Sequence, residues 1–211
     1  MIHRFSAEQG MQYQGGEAIS VLYPVLLKVP ETFRQLKFKE KTVFLGRYAR
    51  QSLRISGEYS GLYPEELKKN KKGKPLSCRG IYWSISHKPG CTAGIVAPFD
   101  TGIDIEKIKP VSTPLFRRIC SAEENDLFKT DNMDLIFFRC FTSKEAVLKL
   151  IGTGLQGMKG VRVIEVPDNL NTVLMAGGDV YMVEHFIVDG YISSVVKGDS
   201  RVIWDYIDPD F

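Results

Sequence analysis

A chain of 211 residues that is 44% hydrophobic and 25% charged can bury the core of one large domain or two small ones, and its composition is that of an ordinary globular protein. A net charge of +3 is too small an excess to imply nucleic acid and is compatible with a polyanionic small molecule or an acidic partner protein. Cys78, Cys91, Cys120 and Cys140 lack CxxC spacing, which argues against zinc and for free thiols in a reducing cytoplasm; no secretory leader and no apolar run near the roughly 18 residues of a membrane span is expected.

In chain order, Ile2 to Phe5 and Ala18 to Leu27 read as strands, with Gly15-Gly16 as a turn between them. Glu31 to Ile55 reads as a helix, with Phe33, Leu36, Val43, Phe44, Tyr48 and Leu53 at helical spacing and Gly57 as its stop. Its other face carries Lys37, Lys39, Lys41, Arg47, Arg50 and Arg54. That is either a solvated basic face or a contact for substrate phosphate. Pro64 starts a short helical turn that runs into the lysines of 68–74, a loop-like charge run without the interleaved aromatics of a nucleic-acid site. Gly80 to Ala97 reads as a hairpin turning at Lys88-Pro89-Gly90, with Ser86-His87 at the turn.

Gly102-Ile103-Asp104-Ile105-Glu106 alternates with a period of two, which puts both acids on one face of a strand. Lys107 to Pro114 is loop-like, Leu115 to Cys120 a short helical turn, and Ser121 to Glu124 a capping box. Asp131 to Leu150 reads as the long central helix, ended by Gly152-Thr153-Gly154. Short strands follow at 161–166, 172–176, 179–188, 191–197 and 201–206, with no polar cluster resembling a catalytic set, so this part reads as scaffold.

Two carboxylates side by side repel and suggest a bound cation. Glu145 and Lys149, four apart, share one face of the central helix. If that face meets Asp104 and Glu106, three carboxylates and a lysine converge, and oxygen-only ligands of that number suit Mg²⁺ together with substrate phosphates. Each motif alone is also what a solvated strand edge or a surface ion pair looks like.

Together, Gly102 to Glu106 and Phe141-Thr142-Ser143-Lys144-Glu145-Ala146-Val147-Leu148-Lys149 resemble the motif pair of the 4′-phosphopantetheinyl transferases, in their larger, Sfp-like branch. The resemblance implies an α+β fold, a pseudo-dimer of two similar α/β halves with an antiparallel sheet packed on a long helix in each. Here the halves would be residues 1–101, contacting the nucleotide end, and residues 102–211, holding the metal and the catalytic helix. A weak internal echo fits: Gly90 and Gly190 both precede small, β-branched strands. The implied activity moves the phosphopantetheine arm of coenzyme A onto a serine of an acyl or peptidyl carrier protein, releasing adenosine 3′,5′-bisphosphate.

Carried over residue by residue, the resemblance makes Asp104, Glu106 and Glu145 ligands of Mg²⁺ (or Mn²⁺) and gives Glu145 and Lys149 the catalytic roles. It puts Lys74 (in Gly73-Lys74-Pro75), Ser86, His87, Lys144, Lys149 and Arg47 on coenzyme A, and Glu124 in support of the site. Two departures stand out: Lys88 follows His87 where the family has a small residue, and Cys120 stands where it has Phe. Val111, Leu115, Phe116, Leu127 and Phe128 read as ordinary core or as a groove for the carrier's helix. The resemblance further implies a cytoplasmic monomer serving fatty-acid, polyketide or nonribosomal-peptide synthesis, with neither nucleic acid nor membrane as partner. The rival readings are a non-catalytic carrier-protein or coenzyme A binder on the same fold, and a nucleic-acid binder using the lysines of 68–74.

Overall fold

The structure is a computed structural model that describes residues 11–14 and 17–209; the strand expected at Ile2 to Phe5 lies outside them. Strands β1 (Met11–Gln14), β2 (Glu17–Leu22) and β3 (Val25–Lys28) lead into helix α1 (Phe38–Ser60) and the hairpin β4 (Tyr82–Lys88) and β5 (Cys91–Ala97). Then come β6 (Ile103–Lys107), the short helices α2 (Thr113–Ile119) and α3 (Ala122–Asn125), and the long helix α4 (Met133–Ile151). Strands β7 (Val161–Glu165), β8 (Asn171–Ala176), β9 (Asp179–Val188), β10 (Tyr191–Val196), β11 (Arg201–Val202) and β12 (Asp205–Ile207) close the chain. The architecture is α+β: α1 packs on the sheet β12-β3-β5-β4, and α4 packs on the antiparallel sheet β6-β10-β9-β8-β7. No described helix is long and apolar enough to cross a membrane.

Several expected boundaries shift, each for a local reason. The strand at Ala18 to Leu27 is interrupted at Tyr23-Pro24, where proline has no N–H for a ladder. The helix expected from Glu31 begins as a separate 3₁₀ turn, Glu31–Gln35, and α1 starts only at Phe38. It runs through Gly57, which serves close packing: a Cβ there would lie 2.7 Å from the carbonyl oxygen of Leu62. The helix stops at Gly61, whose φ of 70° makes the left-handed cap. No helix forms after Pro64.

The last expected strand becomes two, and neither joins the sheet of its own half. β11 pairs in parallel with β2, and β12 in parallel with β3 (Asp205 opposite Val25). A division at residue 101 therefore does not separate two self-contained sheets, because the first half's sheet takes an edge strand from the C-terminal end.

Two glycines set how closely the helices approach. A Cβ on Gly94 in β5 would lie 2.4–2.8 Å from the backbone of Ser52 and Leu53 in α1, and one on Gly102 would collide with the Ala146 carbonyl of α4. Ile103 and Ile105, both fully buried, join Leu22, Leu26, Ile95 and Val195 in the core between the two sheets. The opposite face of β6 therefore turns to α4, together with Ile192 and Ser194 of β10, which lie opposite Glu106 and Asp104. Ser84 Oγ accepts from the Ile103 amide at 3.1 Å, Ile108 donates to the Gly190 carbonyl at 2.8 Å, and Tyr191 Oη donates to the Pro89 carbonyl at 2.8 Å.

Gly94→Ala puts a methyl into backbone. It is expected to cost about 2–3 kcal/mol, read as a fall of roughly 5–10 °C in the thermal midpoint, without changing the far-ultraviolet circular dichroism.

Candidate active site

The acidic face of β6, the end of β4 and the middle of α4 meet at one point. Asp104, 4% exposed, accepts two hydrogen bonds on Oδ1: one from Lys149 Nζ and one from Ser86 Oγ, each at 2.8 Å. Lys149 Nζ also donates to the Ile103 carbonyl at 2.8 Å. Glu106 is paired with Lys88 Nζ at 2.7 Å. Glu145 lies one turn before Lys149 on α4, and its carboxyl is pushed up to about 7, first by burial and then by the charges of Asp104 and Glu106. Burial, with Asp104 beside it, also raises Glu106, against the pull of Lys88. Three carboxylates thus feel one another, and two lysines partly neutralise them.

Two atoms in this cluster lack partners. Asp104 Oδ2 and Glu145 Oε1 are buried and accept no hydrogen bond. An orphaned carboxylate oxygen in a low-dielectric site is costly, and a hard cation with oxygen ligands is the group that satisfies it. Among the described residues, no three acids, histidines or cysteines are gathered at metal-cluster spacing; Lys88 and Lys149 hold Glu106 and Asp104 instead. The donor set thus fits a divalent cation in its chemistry, and binding one would loosen these two ion pairs.

The basic side of the site is made by Lys149, Lys88 and Lys69 around His87. Partial burial of the imidazole, followed by those three positive charges, lowers its pKa. A neutral imidazole among ammonium groups is a place for an anion. Lys69 lies 5.8 Å from the centre of the Trp83 ring, and burial, Lys149 and Arg50 lower its pKa. Lys69, from the charge run, is thus part of this region, and of the basic residues on α1 it is Arg50, not the expected Arg47, whose charge reaches it. Arg47 lies on an exposed shallow groove of α1 with Leu36, Val43 and Phe44, not beside the carboxylates.

Two further expected contacts are otherwise engaged. Lys74 Nζ is paired with Asp100 at 2.7 Å, and its aliphatic stem lies where a Cβ on Gly152 would come within 2.7 Å of it. Lys144, expected on coenzyme A, is 4% exposed, and its Nζ donates to Glu124 at 2.7 Å and to the Ile119 carbonyl at 2.7 Å. On a helix, residue 144 faces away from the side that carries Glu145 and Lys149, so it points into the protein rather than the cleft. Glu124 is indeed the capping residue: its carboxylate accepts from the Ser121 amide at 2.9 Å. It also receives Lys144 and the Val163 amide at 2.8 Å. This buried cap and ion pair fixes the α2–α3 segment against α4.

Of the apolar residues between 111 and 128, Val111, Phe116 and Phe128 belong to the core around α4, and Leu127 packs against it. Leu115, 44% exposed, is left at the surface. The C-terminal strands, read as scaffold, carry a buried chain of polar groups that the pattern did not reveal: Thr172, His185 and Ser194, meeting Thr142 of α4. Only the presence of a histidine inside an otherwise alternating strand hinted at it.

Residues 100–190 match the sequence model of the 4′-phosphopantetheinyl transferase superfamily. Across those residues the chain is similar to that superfamily. The matched region contains Asp104, Glu106, Glu124, Lys144, Glu145 and Lys149, and leaves the basic side (Lys69, Ser86, His87) to the part before it. Among similar proteins, the 4′-phosphopantetheinyl transferase psf-1 of Bacillus pumilus is 34% identical over 88 residues, 39% of this chain and 38% of its own. The 4′-phosphopantetheinyl transferase HetI of Nostoc is 28% identical over 126 residues, 54% of this chain and 53% of its own. A putative 4′-phosphopantetheinyl transferase of Haemophilus influenzae is 30% identical over 151 residues, 64% of this chain and 63% of its own. The chain thus spans about half the length of the curated relatives it matches.

Burying the carboxylates of this cluster together raises their electrostatic energy, and the effect is measurable. With its carboxyl raised to about 7, Glu145 keeps its proton in the folded state between the ordinary carboxylate range and pH 7. The unfolded chain binds fewer protons there, so stability falls as pH rises through that window. Glu145→Gln in chelator should therefore raise the thermal midpoint at pH 8, with the gain shrinking towards pH 5; an equal gain at both values would contradict the assignment. Lys144→Met should leave the Glu124 carboxylate buried and unpaired, at a cost of about 3–5 kcal/mol. Combining it with Glu124→Gln should recover part of that loss in denaturant titrations.

Proposed function

We propose that the protein transfers the 4′-phosphopantetheine arm of coenzyme A to a serine hydroxyl of an apo acyl or peptidyl carrier protein, releasing adenosine 3′,5′-bisphosphate. The observation that carries this reading is the pair of buried, unpartnered oxygens, Asp104 Oδ2 and Glu145 Oε1, beside the cationic cluster of Lys149, Lys88 and Lys69 around His87. Acid oxygens that call for a hard cation, next to a cluster of basic side chains, suit a pyrophosphate substrate. The superfamily match and the names of the relatives support the same reaction class.

In this reading Asp104, Glu106 and Glu145 hold Mg²⁺ or Mn²⁺. When bound there, a divalent cation would neutralise pyrophosphate charge and stabilise the charge that develops in transfer. The remaining work falls to side chains, since phosphoryl transfer depends mostly on positioning and electrostatics. Lys149 supplies positive charge, and a proton, to the departing bisphosphate. Glu145, titrating at about 7, accepts the serine proton directly or through a water. The serine oxygen then bonds to the phosphorus that bears pantetheine while the bond to the bridging oxygen breaks. Ser86 orients Asp104. His87, Lys69 and Lys88 hold coenzyme A phosphates, and Lys74 serves the nucleotide end once it leaves Asp100.

The carrier belongs to fatty-acid, polyketide or nonribosomal-peptide synthesis and docks on the α2–α3 surface around Leu115. The mildly basic chain favours an acidic carrier mainly through the rate of encounter. The protein acts as a cytoplasmic monomer, its residues up to 101 serving the nucleotide and the remainder the metal.

Intact-mass spectrometry of several apo carriers, each incubated with the protein, coenzyme A and Mg²⁺, tests the reading. One added phosphopantetheine arm is expected, abolished by chelator and slowed at least 100-fold by Asp104→Ala, the loss typical of a removed electrostatic stabiliser. No added mass on carriers of all three types, with coenzyme A still bound by calorimetry, would point to a binding protein instead.

A further inference from the structure

The buried polar chain in the C-terminal sheet has a single consistent direction. Thr142 Oγ1 donates to the Phe138 carbonyl at 2.7 Å, so towards Ser194 Oγ, 2.5 Å away, it can only accept. Ser194 therefore donates to Thr142, and its lone pairs accept from His185 Nδ1 at 2.7 Å, which must carry the proton. His185 is 2% exposed, and its burial, with Arg139 nearby and only Asp168 opposing, lowers its pKa well below the usual value. The ring is neutral, so Nε2 is an acceptor, and Thr172 Oγ1 donates to it at 3.0 Å. Every donor in this run is used once, and a satisfied buried network is rigid.

The chain ends at the site. It crosses β8 (Thr172), β9 (His185) and β10 (Ser194) and reaches α4 at Thr142, three residues before Glu145 and seven before Lys149, on the same helical face. Ser194 lies directly opposite Asp104 in the ladder, and the neighbouring Ser193 Oγ donates to the Asp104 carbonyl at 2.8 Å. Both arms of the site, the Asp104 strand and the Glu145 helix, are thus located from β10. This contact adds a directional hold on the middle of the helix to the one that Lys149 makes to β6.

We infer that His185, acting through Ser194 and Thr142, is a positioning residue that sets the separation between Asp104 on β6 and the Glu145–Lys149 face of α4. This rests on the transferase reading above. The imidazole is the only side chain of the set with a rigid donor and acceptor on opposite edges. Asparagine places an amide N–H where Nδ1 stood and keeps the bond to Ser194. Glutamine reaches the Nε2 position and does not.

Two measurements on the full chain test the inference. Nitrogen-15 NMR of the histidine rings should show His185 neutral with its proton on Nδ1; the opposite tautomer would overturn the proposal. Steady-state transfer to a carrier should then show kcat reduced on the order of 10- to 100-fold in Thr142→Val and His185→Gln, as for a small misplacement of catalytic groups. The KM for coenzyme A should stay within about twofold and His185→Asn should be largely restored, a split that a merely structural loss does not produce. Thr142→Val combined with His185→Gln should be no slower than either alone, because both break one chain. Equal activity of the Asn and Gln variants, or losses that follow only the folded fraction, would sink the positioning role. A wild-type protein that modifies no carrier, yet shows the expected tautomer, would instead place the failure in the transferase reading and remove the proposal with it.

Discussion

Strand β6 has no freedom to turn over. Ile103 and Ile105 are fully enclosed in the core between the sheets, and the period of two then forces Asp104 and Glu106 towards α4. Gly102 lets the helix backbone come close at the start of the strand, where any side chain would strike the Ala146 carbonyl. The apolar contacts on one side of the strand thus determine where the acids sit on the other. Burying them so near Glu145 raises the electrostatic energy of all three, and the basic side chains of β4 and α4 are drawn in to offset it.

That compensation divides the lysines of α4 into two kinds. Lys144 is enclosed and meets a carboxylate that is itself fully hydrogen-bonded, so the Lys144–Glu124 pair is a closed unit tying α2 and α3 to the helix. Lys149 is partly open, shares Asp104 with Ser86, and leaves the second oxygen of that acid without a partner. The first arrangement has nothing to gain from a ligand. The second gains from both a cation and an anion. Two lysines of similar appearance stand five positions apart in the sequence, and helical geometry gives them opposite surroundings.

Much of this was legible in the chain because it depends on local rules. Alternation identified β6, the hairpin at Lys88-Pro89-Gly90 was marked by its turn residues, and Ser121-to-Glu124 announced its cap. The acids and Lys149 could be nominated from spacing together with the family likeness. What was not legible depends on contacts distant in sequence. Gly57 reads as a helix stop unless the approach of Leu62 is known, and Arg47 and Arg50 cannot be ranked without knowing which reaches Lys69. Val111, Phe116 and Phe128, which read as either core or groove, are core, and apolar character alone does not separate the two. His185 offered only its presence in an alternating strand as a signal, because its partners sit on two other strands and the chain reaches α4 only through Ser194.

The parallel pairing of β11 with β2 and of β12 with β3, together with the Lys28–Asp208 ion pair at 2.6 Å, joins residues about 180 positions apart. During synthesis the first sheet therefore lacks one flanking strand until nearly all of the described chain has left the ribosome. Until then β3 presents an open ladder of backbone donors and acceptors, the kind of edge that recruits foreign strands. Contacts of such long sequence separation slow folding. The hazard ends only when residues 201–207 arrive, so this edge is covered by strands made about 180 residues after the one they pair with.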